Sequence, residues 1–267
     1  MKINKPLIKK IFISLLWMVL GIGFFTLWAF SSIERKKLRC EKINIKIDEG
    51  DNKFFVDKSA ILKIIKEKNK DTLFQQKINA VNWIGLESAI EANPWIANTE
   101  IYSNRNGDVV IDVQQRCPIM RIINNEHLSF YIDENGKPMN WSSTFTARVL
   151  IVTGNVSLTD FNYSHPEQSK RNDLVQLVKF INKNEFWKAQ IAQIEIKKNE
   201  DFVLYPLQGE HEIELGDATD CKEKFDRLKI FYLEGLNKVG WSKYKKVSVK
   251  YKGEVVATKN NSTIQKK

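Results

Sequence analysis

Apolar and polar positions fall into three regimes along the chain: an uncharged run, a stretch mixing helical and alternating periods, and a longer stretch dominated by alternation. The uncharged run extends from Ile11 to Ile33. At about 1.5 Å per residue it spans roughly 34 Å as a helix, enough to cross a hydrocarbon core of about 30 Å. It contains Trp17, Phe24, Phe25, Trp28 and Phe30, and its one cleavage-like stretch is a weak Ala29-Phe30-Ser31. A secretory signal has a shorter apolar region and ends at small residues. The run therefore reads as an uncleaved signal anchor: a cytoplasmic tail over 1–10 and a transmembrane helix over 11–33. The charge count does not orient it, because Lys2, Lys5, Lys9 and Lys10 precede the span while Arg35, Lys36, Lys37, Arg39 and Lys42 follow. Length decides instead, since a large domain translocates largely regardless of charge. The bulk of the chain is expected outside the cytoplasm.

The second regime, 34–117, reads strand, helix, helix, strand, strand. Ile43, Ile45 and Ile47 alternate with polar residues. Asp57 or Ser59 caps a helix with Ile61, Leu62, Ile64 and Ile65 facing inward, and a second helix runs from about Asn82 to Ala92. Asn93-Pro94 ends it, because proline disfavours a helical predecessor. A strand from Trp95 through Tyr102 turns back at Arg105-Asn106-Gly107-Asp108 into the alternating Val109, Ile111 and Val113.

The third regime, 118–258, is richer in strands. Leu128, Phe130 and Ile132 alternate before the turn Asp133-Glu134-Asn135-Gly136, and Val149 to Val152 is a continuous apolar run. Ser164 and Glu167 form a capping box around Pro166, ahead of a helix with the stripe Leu174, Leu177, Val178 and Ile181. Ile194 with Ile196, Phe202 to Tyr205, and Ile213 with Leu215 read as successive antiparallel strands. A second long helix carries Phe225, Leu228, Tyr232, Leu236 and Val239 and stops at Gly240; Val247, Val249 and Tyr251, a turn at Lys252-Gly253 and a strand from Glu254 to Thr258 follow. The polar segment 259–267 is expected to be a disordered tail. The fold class is α+β: one transmembrane helix, a small βααββ unit, and a strand-rich antiparallel β domain with two long helices.

Composition narrows the function classes. The net charge is +10, and taking away the four N-terminal lysines leaves +6, spread singly without the basic stripe of a nucleic-acid surface. Cys40, Cys117 and Cys221 are an odd number at wide spacing, with no disulfide framework or metal pattern, and Cys117 and Cys221 read as small core residues. His127, His165 and His211 lie in separate segments without ligand spacing. Asp133-Glu134 has the look of an acid/base pair for glycan cleavage, but adjacent carboxylates in a glycine-containing turn are turn chemistry. No Gly-x-Ser-x-Gly elbow, Cys-His pairing or phosphate loop is present. Trp83, Trp95, Trp141, Trp187 and Trp241 could stack on sugars; their apolar neighbours favour core packing. No catalytic residue, cofactor or metal is expected.

The order of these segments resembles the bacterial cell-division FtsQ/DivIB family, whose βααββ unit is a POTRA domain. The resemblance is sharpest at Ile90-Glu91-Ala92-Asn93-Pro94-Trp95-Ile96 and Gln115-Arg116-Cys117-Pro118-Ile119-Met120-Arg121. It continues through Phe130-Tyr131-Ile132-Asp133 with Gly136, Leu215-Gly216-Asp217 leading into Lys224-Phe225 and Arg227-Leu228, and Val247-Ser248-Val249-Lys250-Tyr251. Lys250 stands where the family commonly has arginine, and the basic tail beyond Thr258 is longer than usual. The Asn- and Lys-rich style, with the turn from Tyr131 to Gly136 and the strand from Arg148 to Gly154, is most similar to the Bacteroidetes branch.

That resemblance implies a non-enzymatic bitopic scaffold of the inner membrane at the division septum. Its N-terminus would be cytoplasmic and its bulk periplasmic, binding FtsB and FtsL by strand addition at the C-terminal edge and other division proteins through the POTRA-like unit. Carried over position by position, partner binding falls on Lys250, Tyr251, Glu254, Val255, Val256 and Ala257, with one of Val255 and Val256 packing inward by alternation. The strand from Val109 to Val113 would be the edge of the POTRA-like unit. Two other readings compete: a membrane-anchored peptidoglycan enzyme, which needs a cleft with a perturbed carboxylate or a metal, and a POTRA-bearing secretion or assembly factor, which needs tandem repeats or a β-barrel.

Overall fold

The computed structural model describes residues 13–26, 38–48, 55–69, 73–142, 145–161 and 169–260. Residues 13–26 form helix α1, with Trp17 70% and Phe24 75% exposed. At about 1.5 Å per residue its described residues cover about 21 Å. Among the described residues no helix is long and apolar enough to cross a membrane. The rest of the expected span 11–33, and all of the tail 1–10, lie outside the described residues.

Beyond α1 the chain forms two compact units, within Met1–Asp48 and Val56–Gln115, and within Glu49–Phe55 and Arg116–Lys267. In the first, Asp57 Oδ1 accepts the Ala60 N–H at 2.8 Å and starts helix α2 (Lys58–Asn69). Only Ile61 and Ile65, one turn apart, are buried there; Leu62 is exposed and Ile64 half-buried, so the apolar stripe is narrower than four inward residues. Asn82 caps helix α3 (Trp83–Glu91) by accepting the Gly85 N–H at 3.0 Å, and Leu86 and Ile90 enter the core. Strands β1 (Lys42–Ile47), β2 (Ile96–Ser103) and β3 (Asp108–Gln115) stand in the order β1-β3-β2. Gly107, at φ +87°, makes the β2–β3 turn where a Cβ would collide with the Arg39 carbonyl oxygen. The two helices return the chain to the end where β1 finishes and β2 runs back from there, so β3 runs parallel to β1. This corrects the expectation that Val109 to Val113 forms an edge: β3 is central, with Val109, Ile111 and Val113 fully buried, and the edges are β1 and β2.

The second unit holds strands β4 (Pro118–Asn124), β5 (Ser129–Asp133), β6 (Pro138–Asn140), β7 (Leu150–Gly154), β8 (Ile191–Ile196), β9 (Phe202–Pro206), β10 (Glu212–Gly216), β11 (Tyr244–Ser248) and β12 (Val256–Lys259). They form one nine-stranded sheet ordered β12-β11-β10-β9-β8-β7-β4-β5-β6. The sheet is mixed, not antiparallel as expected: β4–β7, β7–β8 and β10–β11 are parallel pairs. Two of these pairs are joined through helices. Helices α4 (Ser169–Lys183) and α5 (Glu185–Gln190) lie between β7 and β8. Helix α6 (Cys221–Ile230), a π-helical stretch (Phe231–Leu236) and helix α7 (Asn237–Val239) lie between β10 and β11. A connection carrying a helix brings the next strand back in the same direction.

On α4, Leu174, Leu177, Val178 and Ile181 are buried against the sheet as the stripe requires. The capping box at Ser164, Pro166 and Glu167, like His165, lies outside the described residues. Trp187 on α5 is 1% exposed, and its ring meets those of Phe186, Phe225 and Tyr232. It is the one fully buried tryptophan of the five weighed as core; Trp83, Trp95 and Trp241 are half-buried and Trp141 is 49% exposed. The wide π turn shifts the helical register, so Phe225, Leu228, Tyr232 and Leu236 are buried while Val239 is exposed. Cys40 is buried, whereas Cys117 and Cys221 are half-buried, and none of the three forms a disulfide.

Buried His211 pairs its Nε2 with the Tyr232 hydroxyl at 2.8 Å, and its Nδ1 has no hydrogen-bond partner. Burial pushes its pKa below the ordinary histidine value, so the fold holds it neutral. The unfolded chain takes up that proton below about pH 6.5, so stability is full above this pH and falls as pH drops below it, by at most about 1.4 kcal/mol per pH unit. Urea unfolding is therefore expected to show a lower midpoint at about pH 5.5 than at about pH 7.5. His211→Phe flattens that difference while lowering the midpoint at both, because the Tyr232 hydroxyl loses its partner.

Candidate partner-binding edge

The C-terminal edge of the nine-stranded sheet is assembled by residues far apart in sequence. At the end of β10, Gly216 takes φ +74°, and a Cβ there would sit 2.8 Å from Lys250 Cγ. Asp217 follows and receives the Lys224 Nζ at 2.6 Å and the Thr219 hydroxyl at 2.6 Å, which hold its carboxyl below the usual carboxylate range. Lys224 also donates to the Asp217 carbonyl at 3.0 Å, fixing the first turn of α6. One turn on, Arg227 donates from Nη2 to the carbonyls of Val249 (3.0 Å) and Tyr251 (3.1 Å), and its Nη1 rests on Glu223 at 2.6 Å. A guanidinium thus clamps the chain between β11 and β12. The turn closes with the Glu254 N–H donating to the Tyr251 carbonyl at 3.3 Å.

Strand β12 then pairs antiparallel with β11, Val256 opposite Ser248 and Ala257 opposite Val247, and its other side has no strand neighbour among the described residues. It runs to Lys259, and the Asn260 N–H donates to the Lys243 carbonyl at 2.8 Å, so the sheet extends past Thr258 into the segment read as tail. Residues 261–267 lie outside the described residues.

Of the residues singled out from sequence, Val255 and Ala257 are half-buried against the core, and Val256 is 45% exposed. Alternation is satisfied with Val255 as the packing member. Strand pairing begins at Val256, so Glu254 and Val255 belong to its approach. Tyr251 is 58% exposed, and Lys250 is held by Asp201 at 2.6 Å. Beside the edge, Ile230, Phe231, Glu234, Gly253 and Val255 line an open groove of about 440 Å³. The periodicities named neither Arg227 nor Asp201 as parts of this edge. The signal for Arg227 was its place in the Lys224-Phe225 and Arg227-Leu228 motif.

The opposite edge, β6, is built differently. It is three residues long and begins with Pro138, which has no N–H to offer. Arg116 Nη2 occupies the carbonyls of Lys137 and Pro138 at 3.1 Å each. The same guanidinium grips Asp133 Oδ2 from Nε (2.9 Å) and Nη2 (2.7 Å), while Asp133 Oδ1 accepts the N–H groups of Asn135 and Lys137. Asp133 is buried and wholly committed to its turn. His127 lies on the surface, His211 is buried on Tyr232, and among the described residues no three His, Cys, Asp or Glu side chains gather as a metal site would need.

A family model described as FtsQ/DivIB, C-terminal related, matches residues 117–258, and one described as a POTRA-like domain matches residues 38–114. No curated protein matches the chain. The first match covers more than half of the sequence and reaches Thr258 in β12, and the second covers all but the last residue of the βααββ unit; the chain belongs to the FtsQ/DivIB family.

Proposed function

We propose that the protein is a bitopic scaffold of the division machinery that binds FtsB and FtsL in the periplasm by adding a partner strand to β12. Its family is one of non-enzymatic cell-division scaffolds. The observation that carries the reading is the contrast between the two edges of the large sheet. Edge β6 is short, starts with proline and has its Pro138 carbonyl taken by Arg116, whereas β12 presents a side with no strand partner among the described residues, with exposed Val256 next to an apolar groove. An open edge with a neighbouring pocket supports strand addition: the ladder supplies affinity and the side chains supply specificity. Tyr251, at the entry to the strand, offers a large rigid contact of the kind that dominates interfaces. The POTRA-like unit offers a second surface for other division proteins.

In this reading residues 11–33 cross the inner membrane with residues 1–10 in the cytoplasm. Protease added to spheroplasts then digests everything beyond about residue 35, and the mature chain keeps its N-terminal segment. A protected large domain, or a mature N-terminus after Ser32, contradicts the anchor. The scaffold role is tested by a fluorescent fusion in growing cells, which gathers at the division site together with FtsB. A fusion spread evenly over the envelope in dividing cells argues against it.

A further inference from the structure

The free edge of the small sheet carries a contact that the partner-binding reading does not use. Strand β2 has β3 on one side and, among the described residues, no strand on the other. The N–H groups of Thr99 and Ile101, two residues apart, turn away from β3. Thr99 donates to Glu91 Oε1 and Ile101 to Glu87 Oε1, each at 2.9 Å. The match is geometric: four residues along a helix advance about 6.0 Å and two residues along a strand about 6.7 Å, so an i, i+4 pair of carboxylates falls into step with an i, i+2 pair of N–H groups. Helix α3 runs antiparallel to β2, with Leu86 and Ile90 packed in the core and Glu87 and Glu91 one position further round, against the edge.

We infer that α3 acts as a built-in surrogate strand: Glu87 and Glu91 occupy the outward N–H groups of β2 and hold this edge closed against strand addition, an autoinhibitory contact within the unit. An open β2 would be a hazard. It offers Thr99, Ile101 and the 49% exposed Tyr102 in extended conformation, the residue types that favour sheets, so a second copy of the same strand is the partner always at hand. Reach, not charge, is what closes the edge. A glutamine at each position keeps an acceptor oxygen at the same distance, whereas an aspartate keeps the charge but is one methylene too short.

The test is amide hydrogen exchange on the full-length chain in detergent, with sedimentation to follow self-association. In Glu87→Asp/Glu91→Asp and Glu87→Ala/Glu91→Ala, the Thr99 and Ile101 amides are expected to exchange at least about tenfold faster than in the native chain, the factor for losing one hydrogen bond to a charged acceptor. The Ile111 and Val113 amides of central β3 stay protected and report that the unit is folded. Glu87→Gln/Glu91→Gln keeps native exchange. The alanine variant dimerises while the native and glutamine chains remain monomeric. Fast exchange at Thr99 and Ile101 in the glutamine variant, unchanged exchange in the alanine variant, or a folded alanine variant that exchanges fast yet stays monomeric would each overturn the inference.

Discussion

Val256→Pro removes most of the affinity for an FtsB-derived strand, while Val256→Ala reduces it only slightly. A backbone hydrogen bond contributes about 0.5–1.5 kcal/mol net, so four or five ladder bonds supply only a few kcal/mol, offset in part by ordering the partner. Val256 is the first paired residue of β12, opposite Ser248, with its side chain 45% exposed. Proline there deletes a donor and fixes φ near −65°, which bends the strand away from the ladder. The loss is expected to reach about 2–3 kcal/mol, some 30- to 150-fold in Kd, against under about 1 kcal/mol for alanine. Titration of the protein with a partner peptide checks it, with circular dichroism confirming that each variant stays folded. Tyr251→Ala falls between the two, and deleting residues 261–267 leaves affinity unchanged. A folded Val256→Pro variant that binds normally moves the binding surface away from β12.

Asp133→Ala destabilises the second unit by about 3–5 kcal/mol, the cost typical of stripping one partner from a buried ion pair. Arg116 is left with its guanidinium largely buried, and the N–H groups of Asn135 and Lys137 lose their acceptor in the same step. At about 2–4 °C per kcal/mol for a unit of this size, the melting temperature falls by roughly 10 °C. Asp133→Asn keeps an oxygen for the two turn N–H groups and loses only the ion pair, so its loss is smaller. Calorimetry on the three proteins measures the series. Equal stability in all three would free Asp133 from its turn and return it to the pool of chemical candidates.

What was legible in the sequence was local. Asp57 and Asn82 cap their helices, Asn93-Pro94 ends α3, and Asn106-Gly107 turns β2 into β3, because a cap or a turn is decided by residues within about four positions. Strand order is not local. The clean alternation of Val109, Ile111 and Val113 says that one face is buried but not which strands lie on either side, and β3 is central because it returns between β1 and β2. The parallel pairs of the large sheet could have been inferred from the helices expected between the strands; alternation alone is blind to direction. At the proposed partner-binding edge, alternation required that one of Val255 and Val256 pack inward without saying which. The register with β11 decides it. The clamp from Arg227 to Val249 and Tyr251, the Lys250–Asp201 pair and the carboxylates on β2 join positions that no periodicity connects.

The most direct test of the central claim is amide hydrogen exchange of the protein with and without an FtsB-derived peptide. Strand addition predicts new protection at β12 amides from Val256 to Lys259, with smaller gains around Ile230 and Phe231 where the groove borders the edge. Protection confined to the first unit, or binding that leaves the β12 amides exchanging as in the free protein, would contradict it.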